Sequence, residues 1–87
     1  MEAMSQLRLL FFAELREQIG RGEQAIDTVE GETVDDLIER LIATEGEQYR
    51  ALQNSKVQVA INAGLSEKTA AVPPAGELAF FPPVTGG

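Results

Sequence analysis

The sequence predicts an α+β domain, a single mixed β-sheet with one main helix laid across one of its faces. Three observations predict it. Runs in which apolar and polar residues alternate occur at 6–12, 56–62 and 77–81, the period of two that a half-buried strand requires. One stretch, 33–45, places its apolar residues at helical spacing instead. The chain has 87 residues, the size of one small domain, and 44% of them are hydrophobic, enough for a core and too many for a disordered segment.

Taken in order, Gln6 to Phe12 is the first expected strand, with Leu7, Leu9 and Phe11 on one face and Arg8, Leu10 and Phe12 on the other. Ala13 to Ile19 reads as a short helical turn, Leu15 and Ile19 standing at i,i+4 with Gly20 placed to cap it. Arg21-Gly22 reverses the chain into a second strand, Glu23 to Val29, which sets Ala25, Asp27 and Val29 opposite Gln24, Ile26 and Thr28 and pairs with the first as a hairpin. Thr33 is the expected N-cap of the main helix, and Asp36 sits where the reciprocal acid of a capping box belongs. Val34, Leu37, Ile38, Leu41 and Ile42 form its apolar stripe, with Asp35, Asp36, Glu39 and Arg40 on the wet side. The helix fades near Gly46, and Glu47 to Leu52 offers a further short turn.

Asn54-Ser55 then breaks the chain before a third strand, Lys56 to Asn62. Val57, Val59 and Ile61 point inward there, while Lys56, Gln58, Ala60 and Asn62 point out. Asn62-Ala63-Gly64 is a turn signal, with Leu65-Ser66 returning as a brief strand. Residues 70–75, with Pro73-Pro74, form a loop. Gly76 opens the final strand, Glu77 to Phe81, in which Leu78 and Phe80 share one face and Ala79 and Phe81 the other. Placing the first and last strands side by side brings Leu9, Phe11, Leu78 and Phe80 against the helix stripe. It also gathers Leu10, Phe12, Ala79 and Phe81 on the uncovered face. A contiguous apolar patch on so small a domain marks a binding surface.

What the chain lacks narrows its chemistry. It has no Cys, His or Trp, which removes thiol nucleophiles, imidazole bases and Cys/His metal sites; no metal is expected. Ser5, Ser55, Ser66 and Tyr49 have no histidine to activate them and read as solvated surface groups. The 14 Asp and Glu follow no signature spacing and also read as solvated. A net charge of −7 argues against nucleic acid and anionic membranes as partners and favours a protein with a basic docking surface. No apolar run reaches membrane-spanning length, and the acidic opening Met1-Glu2-Ala3-Met4 is unlike a signal peptide, so the expected location is the cytoplasm.

The last ten residues, Leu78 to Gly87, then stand out. Pro82 and Pro83 have no N–H to donate, so sheet pairing should stop at Phe81. This divides the chain into a domain, 1–81, and a tail, 82–87, of Pro82, Pro83, Val84, Thr85, Gly86 and Gly87. Extended, the tail reaches roughly 20 Å. Without Cβ atoms, Gly86 and Gly87 can enter a channel too narrow for other side chains. A Gly-Gly end by itself is compatible with simple fraying, but this one leaves directly from a hydrophobic strand. The reading is a carboxylate on a thin stalk, with Gly87 the chemical handle.

These residues carry a resemblance. Leu-Phe-Phe-Ala-x-x-Arg-Glu-x-x-Gly at 10–20, Thr-Val-x-x-Leu at 33–37, Val-Ala-Ile-Asn at 59–62 and Ala-Phe-Phe-Pro-Pro-Val-Thr-Gly-Gly at 79–87 resemble the small subunits of molybdopterin synthase. The similarity runs from about Leu7 to the end. Residues 1–6 are a longer lead-in, and Pro74-Ala75-Gly76-Glu77 lacks the family's usual Asp-Gly-Asp/Glu run. The resemblance implies a ubiquitin-like β-grasp fold. It implies that an ATP-dependent adenylating enzyme, similar to ubiquitin-activating enzymes, converts the Gly87 carboxylate to an acyl-adenylate, with AMP held there transiently. A sulfur donor protein then leaves a thiocarboxylate. The tail inserts into the large catalytic subunit and gives sulfur to cyclic pyranopterin monophosphate, forming the dithiolene that later holds molybdenum. No cofactor is expected on this chain alone, and the family implies two copies flanking a dimer of large subunits, a heterotetramer. On this reading Pro82 and Pro83 stiffen the exit and Val84 to Gly87 insert, while strand alternation puts Leu10, Phe12, Leu65, Ala79 and Phe81 at the docking surface. Two alternatives share the tail: a sulfur carrier serving another product such as thiazole, and a ubiquitin-type modifier whose Gly87 is joined to lysine.

Overall fold

The computed structural model describes residues 6–83; Val84, Thr85, Gly86 and Gly87 lie outside the described residues. The order is β1 (Gln6–Phe11), α1 (Glu14–Ile19), β2 (Glu23–Asp27), α2 (Val34–Glu45), a 3-10 helix (Glu47–Gln53), β3 (Gln58–Ile61), β4 (Gly64–Ser66) and β5 (Gly76–Phe81). The five strands form one mixed sheet in the order β2-β1-β5-β3-β4. β1 and β2 make the expected antiparallel hairpin. β5 lies parallel to β1 on one side and antiparallel to β3 on the other, so the last strand in chain order occupies the centre. This is the α+β, β-grasp arrangement expected.

The core lies between the sheet and α2. Leu7, Leu9 and Phe11 of β1, Leu78 and Phe80 of β5 and Val59 of β3 face Val34, Leu37, Ile38 and Leu41 of α2, all nearly sealed from solvent. Phe11 and Phe80 stack with centroids 5.7 Å apart. Alternation therefore assigned the inward face correctly. α2 starts where the capping box requires: the Asp36 amide donates to the Thr33 hydroxyl at 3.1 Å, and the Thr33 amide donates to the Asp36 carboxylate at 3.1 Å. α1 ends on Gly20, whose φ of 97° is the left-handed conformation a C-cap needs.

Several expectations are corrected. β1 ends at Phe11, β2 ends at Asp27, with Val29 half-exposed, and β3 begins only at Gln58. Tyr49 is not a solvated group. Its ring is sealed in the core, edge-on to Phe11 at 6.0 Å, and its hydroxyl donates to Gln24 Oε1 at 2.6 Å. Burial pushes its phenol pKa up. The acids are not all solvated either. Glu32 is buried and receives a two-pronged pair from Arg40 at 2.8 and 2.9 Å, while the same guanidinium donates to the Asp27 carbonyl. Arg40 therefore ties the β2–α2 loop to the helix instead of standing on its wet side. The bond to Glu32 raises the Arg40 pKa further.

Two turns carry unusual backbone. Asn62 and Ala63 have φ of 49° and 70°, the pair of positive values that a two-residue type I′ hairpin demands. Asn62 also accepts from the Glu77 amide at 2.9 Å and donates its own amide to the Glu77 carbonyl at 2.8 Å. Gly76 adopts φ 111°, which strains any other residue, and a Cβ there would also push Asn62 Oδ1 from its bond to the Glu77 amide. Ala13, at φ 51° and ψ −127°, is a second alanine held in a conformation that favours glycine.

Candidate functional site

The face of the sheet turned away from α2 is organised by register. Leu10 of β1 pairs with Ala79 of β5, Ala79 with Ala60 of β3, and Ala60 with Leu65 of β4, so one row crosses four strands. Next to it, toward the end of β5, Phe81 pairs with Gln58, and Phe12 stacks on Phe81 with centroids 4.9 Å apart and planes 3° from parallel. The backbone continues the ladder to this point, because the Phe12 amide donates to the Phe80 carbonyl at 3.2 Å.

α1 does not cover this row. Its inward residues, Leu15 and Ile19, belong to the core on the other side, and the helix packs on the 3-10 helix. Leu65 is 80% exposed and Phe12 42%, while Leu10 and Phe81 are half-buried. Ala79 and Ala60 point to this face but are only 8% and 6% exposed, shaded by larger neighbours. They are the floor of the patch and Leu10, Phe12, Leu65 and Phe81 its raised parts. The sequence placed both alanines on the right face but gave no sign of their depth. At the far end of the face, Arg8 pairs with Glu77, and Glu23 stands 4.0 Å away, leaving the apolar row bordered by partly neutralised charge.

The patch ends where the chain leaves the sheet. The ladder stops at Phe81, as the two prolines dictate. Pro82 and Pro83 do not stand free of the body. Both are half-buried and line a hollow of about 570 Å³ whose other walls are Glu14, Leu15 and Gln18 of α1, Arg50, Ala51 and Gln53 of the 3-10 helix, and Asn54 and Val57. Nothing in the sequence marked this arrangement, since it joins residues 25 or more positions apart through side chains of ordinary type. The Arg50 guanidinium on its rim binds Glu47 at 2.6 Å, which lowers the Glu47 pKa. Lys68 donates to the carbonyls of Leu52 and of Asn54, the latter a wall of this hollow, at 2.8 and 2.7 Å, and burial lowers its pKa.

Among the described residues, no group of acids is placed to hold a metal ion, and no helix is long and apolar enough to cross a membrane. The described part of the molecule presents an uncovered apolar face and, at its edge, the exit of the chain from the sheet.

A molybdopterin synthase sulfur carrier subunit of Haemophilus influenzae is 40% identical over 82 residues, covering 93% of this chain and 99% of that protein. The protein of the same description from Escherichia coli is 33% identical over 81 residues, with 93% and 99% covered. Among solved structures, small archaeal modifier protein 1 of Haloferax volcanii superposes with a TM-score of 0.73 at 25% identity, covering 92% of this chain and 99% of that one. Residues 9–87 match the ThiS family, from within β1 through the Gly-Gly end, and the chain belongs to that family.

Proposed function

We propose that this chain is the sulfur carrier subunit of a molybdopterin synthase. The observation that carries the reading is full-length similarity, at 40% identity, to a protein of that description, in a chain that retains the Phe-Phe-Pro-Pro-Val-Thr-Gly-Gly ending. The chemistry is that of Gly87. A carboxylate resists attack until one oxygen becomes a leaving group, so an adenylating enzyme first joins it to AMP with release of pyrophosphate. Sulfide attack on the acyl carbon expels AMP and leaves a thiocarboxylate directly; attack by a persulfide expels AMP to give an acyl disulfide, whose S–S bond a second thiol then reduces to free the thiocarboxylate. That sulfur is a nucleophile which a chain without cysteine cannot otherwise present. Delivered into the large subunit, it attacks the pterin precursor, and water then cleaves the acyl–sulfur bond, leaving sulfur on the pterin and returning Gly87 to the carboxylate.

The domain's part is to dock and to reach. Phe12, Phe81, Leu10 and Leu65 form the face that meets the large subunit, and residues 82–87 carry the terminus inward. Cations for a phosphorylated pterin come from the partner, since the net charge here is −7. The test is intact mass spectrometry after incubation with ATP, an adenylating enzyme and a sulfur source, followed by addition of large subunit and precursor. The expected result is a gain of one oxygen-for-sulfur exchange that is lost on transfer. A lasting conjugate to substrate lysines identifies a modifier instead, and sulfur that passes only to a different acceptor identifies a carrier of another pathway.

A further inference from the structure

We infer that the wall between α1 and the 3-10 helix is a rudder: it seats Pro82 and Pro83 and so sets the direction in which the reactive terminus leaves the domain. The inference rests on the carrier reading for its consequence, though not for its geometry. Phe81 is held extended by the ladder and by the proline that follows it, and the two proline rings fix their own φ, but ψ at Pro82 and Pro83 is left to swing the stalk. Phe81 is held on one side by its stack with Phe12. On the other side, the prolines share their hollow with Leu15, Ala51 and Val57 beneath and with Gln18, Arg50 and Asn54 at the rim. The exit is thus flanked on both faces of the sheet, by the Phe12 ring on one and by this hollow on the other.

Direction matters because of the lever. A swing of about 30° at Pro83 displaces a terminus four residues further on by roughly 7 Å, given an extended rise of about 3.3 Å per residue. Misplacement of even about 1 Å at a reacting centre can cost a hundredfold in rate. Ala51 is the position that tunes the seat. It is half-buried, packs on the core and presents a single methyl to the hollow, so the space beneath the prolines depends on its being small. Ala51 acts through the prolines and touches no substrate; it is a positioning residue.

The absence of cysteine permits a direct test. A Thr85→Cys chain carrying a nitroxide label should broaden backbone amide signals on one side of the domain only. Ala51→Leu, which fills the seat, should spread that broadening to both sides, as should replacing Pro82 and Pro83 together by glycine. With thiocarboxylated unlabelled chain and large subunit, Ala51→Leu should leave affinity within about twofold and slow single-turnover sulfur transfer about tenfold. In the Gly-Gly background the same substitution should have no further effect. Gln18→Trp crowds the hollow from its exposed rim and replaces Ala51→Leu if that variant loses the native fold. An unchanged broadening pattern, or a rate loss equal in both backgrounds, overturns the rudder. A chain that shows the broadening but never gains sulfur keeps the rudder and overturns the carrier reading.

Discussion

The two faces of β5 are built from neighbouring residues and do opposite work. Leu78 and Phe80 are sealed against α2, with Phe80 stacked on Phe11. Ala79 and Phe81, one residue along in each case, turn to the uncovered face, where Phe81 lies beneath a Phe12 ring that is 42% exposed. The two Phe–Phe stacks run back to back through one pair of parallel strands. The inner one is surrounded by protein on every side and contributes stability. The outer one lacks half of its neighbours, and the contacts it is missing are those a partner can supply.

Substitutions on the two sides should therefore fail differently. The largest effect belongs to Phe80→Ala, which empties a fully enclosed ring site and should cost about 4 kcal/mol, most of what a domain of this size possesses. Urea denaturation should show the midpoint collapsing; a loss below about 1 kcal/mol would mean the inner face is not where the stability resides. Next is Phe81→Asp. It should weaken binding to the large subunit at least tenfold by calorimetric titration while the melting temperature moves only a few degrees. Equal damage to stability and affinity would erase the distinction between the faces.

A smaller effect of opposite sign is expected at the hairpin that carries Leu65. Ala63→Gly removes a Cβ from a backbone held at φ 70° and should stabilise the fold by about 1 kcal/mol, offset in part by greater freedom of the unfolded chain. Affinity for the partner should not change, because Leu65 keeps its place. Loss of affinity would show that the strained turn itself, and not the apolar row, presents Leu65.

The smallest effect concerns the Glu47–Arg50 pair. Hydrogen bonding to Arg50, and then its charge, lower the Glu47 pKa, so any contribution is present above the ordinary carboxylate value and lost as pH falls through the lowered one. Both side chains stand largely in water. The acid limb of the stability curve for Arg50→Gln should therefore overlay that of the parent chain. A resolved gap would show that the rim of the proline seat is electrostatically stiffened.

How much of this could be read beforehand follows from the range of the forces involved. Local signals were faithful. Period two placed Leu7, Leu9, Phe11, Leu78 and Phe80 inside, and the Thr33–Asp36 spacing located the start of α2 to the residue. Even the outward row of Leu10, Ala79 and Phe81 was legible. What escaped depends on residues far apart in sequence. Ala60 and Ala79 are buried because Leu10 and Leu65 flank them across the strands, and Glu32 is buried because Arg40, a turn and more into α2, reaches back to it. The burial of Tyr49 escaped notice because the partner of its hydroxyl, Gln24, lies 25 positions away. The positive φ at Ala13 and Ala63 gave no warning, since the usual sign is glycine or asparagine and alanine occupies both. The proline seat is of the same kind: its walls come from α1 and from the 3-10 helix, neither of which is near the tail in sequence.

The central position of β5 has a mechanical consequence. The hairpins β1–β2 and β3–β4 share no ladder with each other, and β5 alone bridges them. When a terminus is hauled out of a tight channel, the load runs along β5 and is shared at once by the bonds to β1 and to β3, so they must shear together instead of peeling singly. On the proposed function, in which the terminus is threaded into a partner and withdrawn, the pulling point would be attached to the strand where the sheet resists traction best.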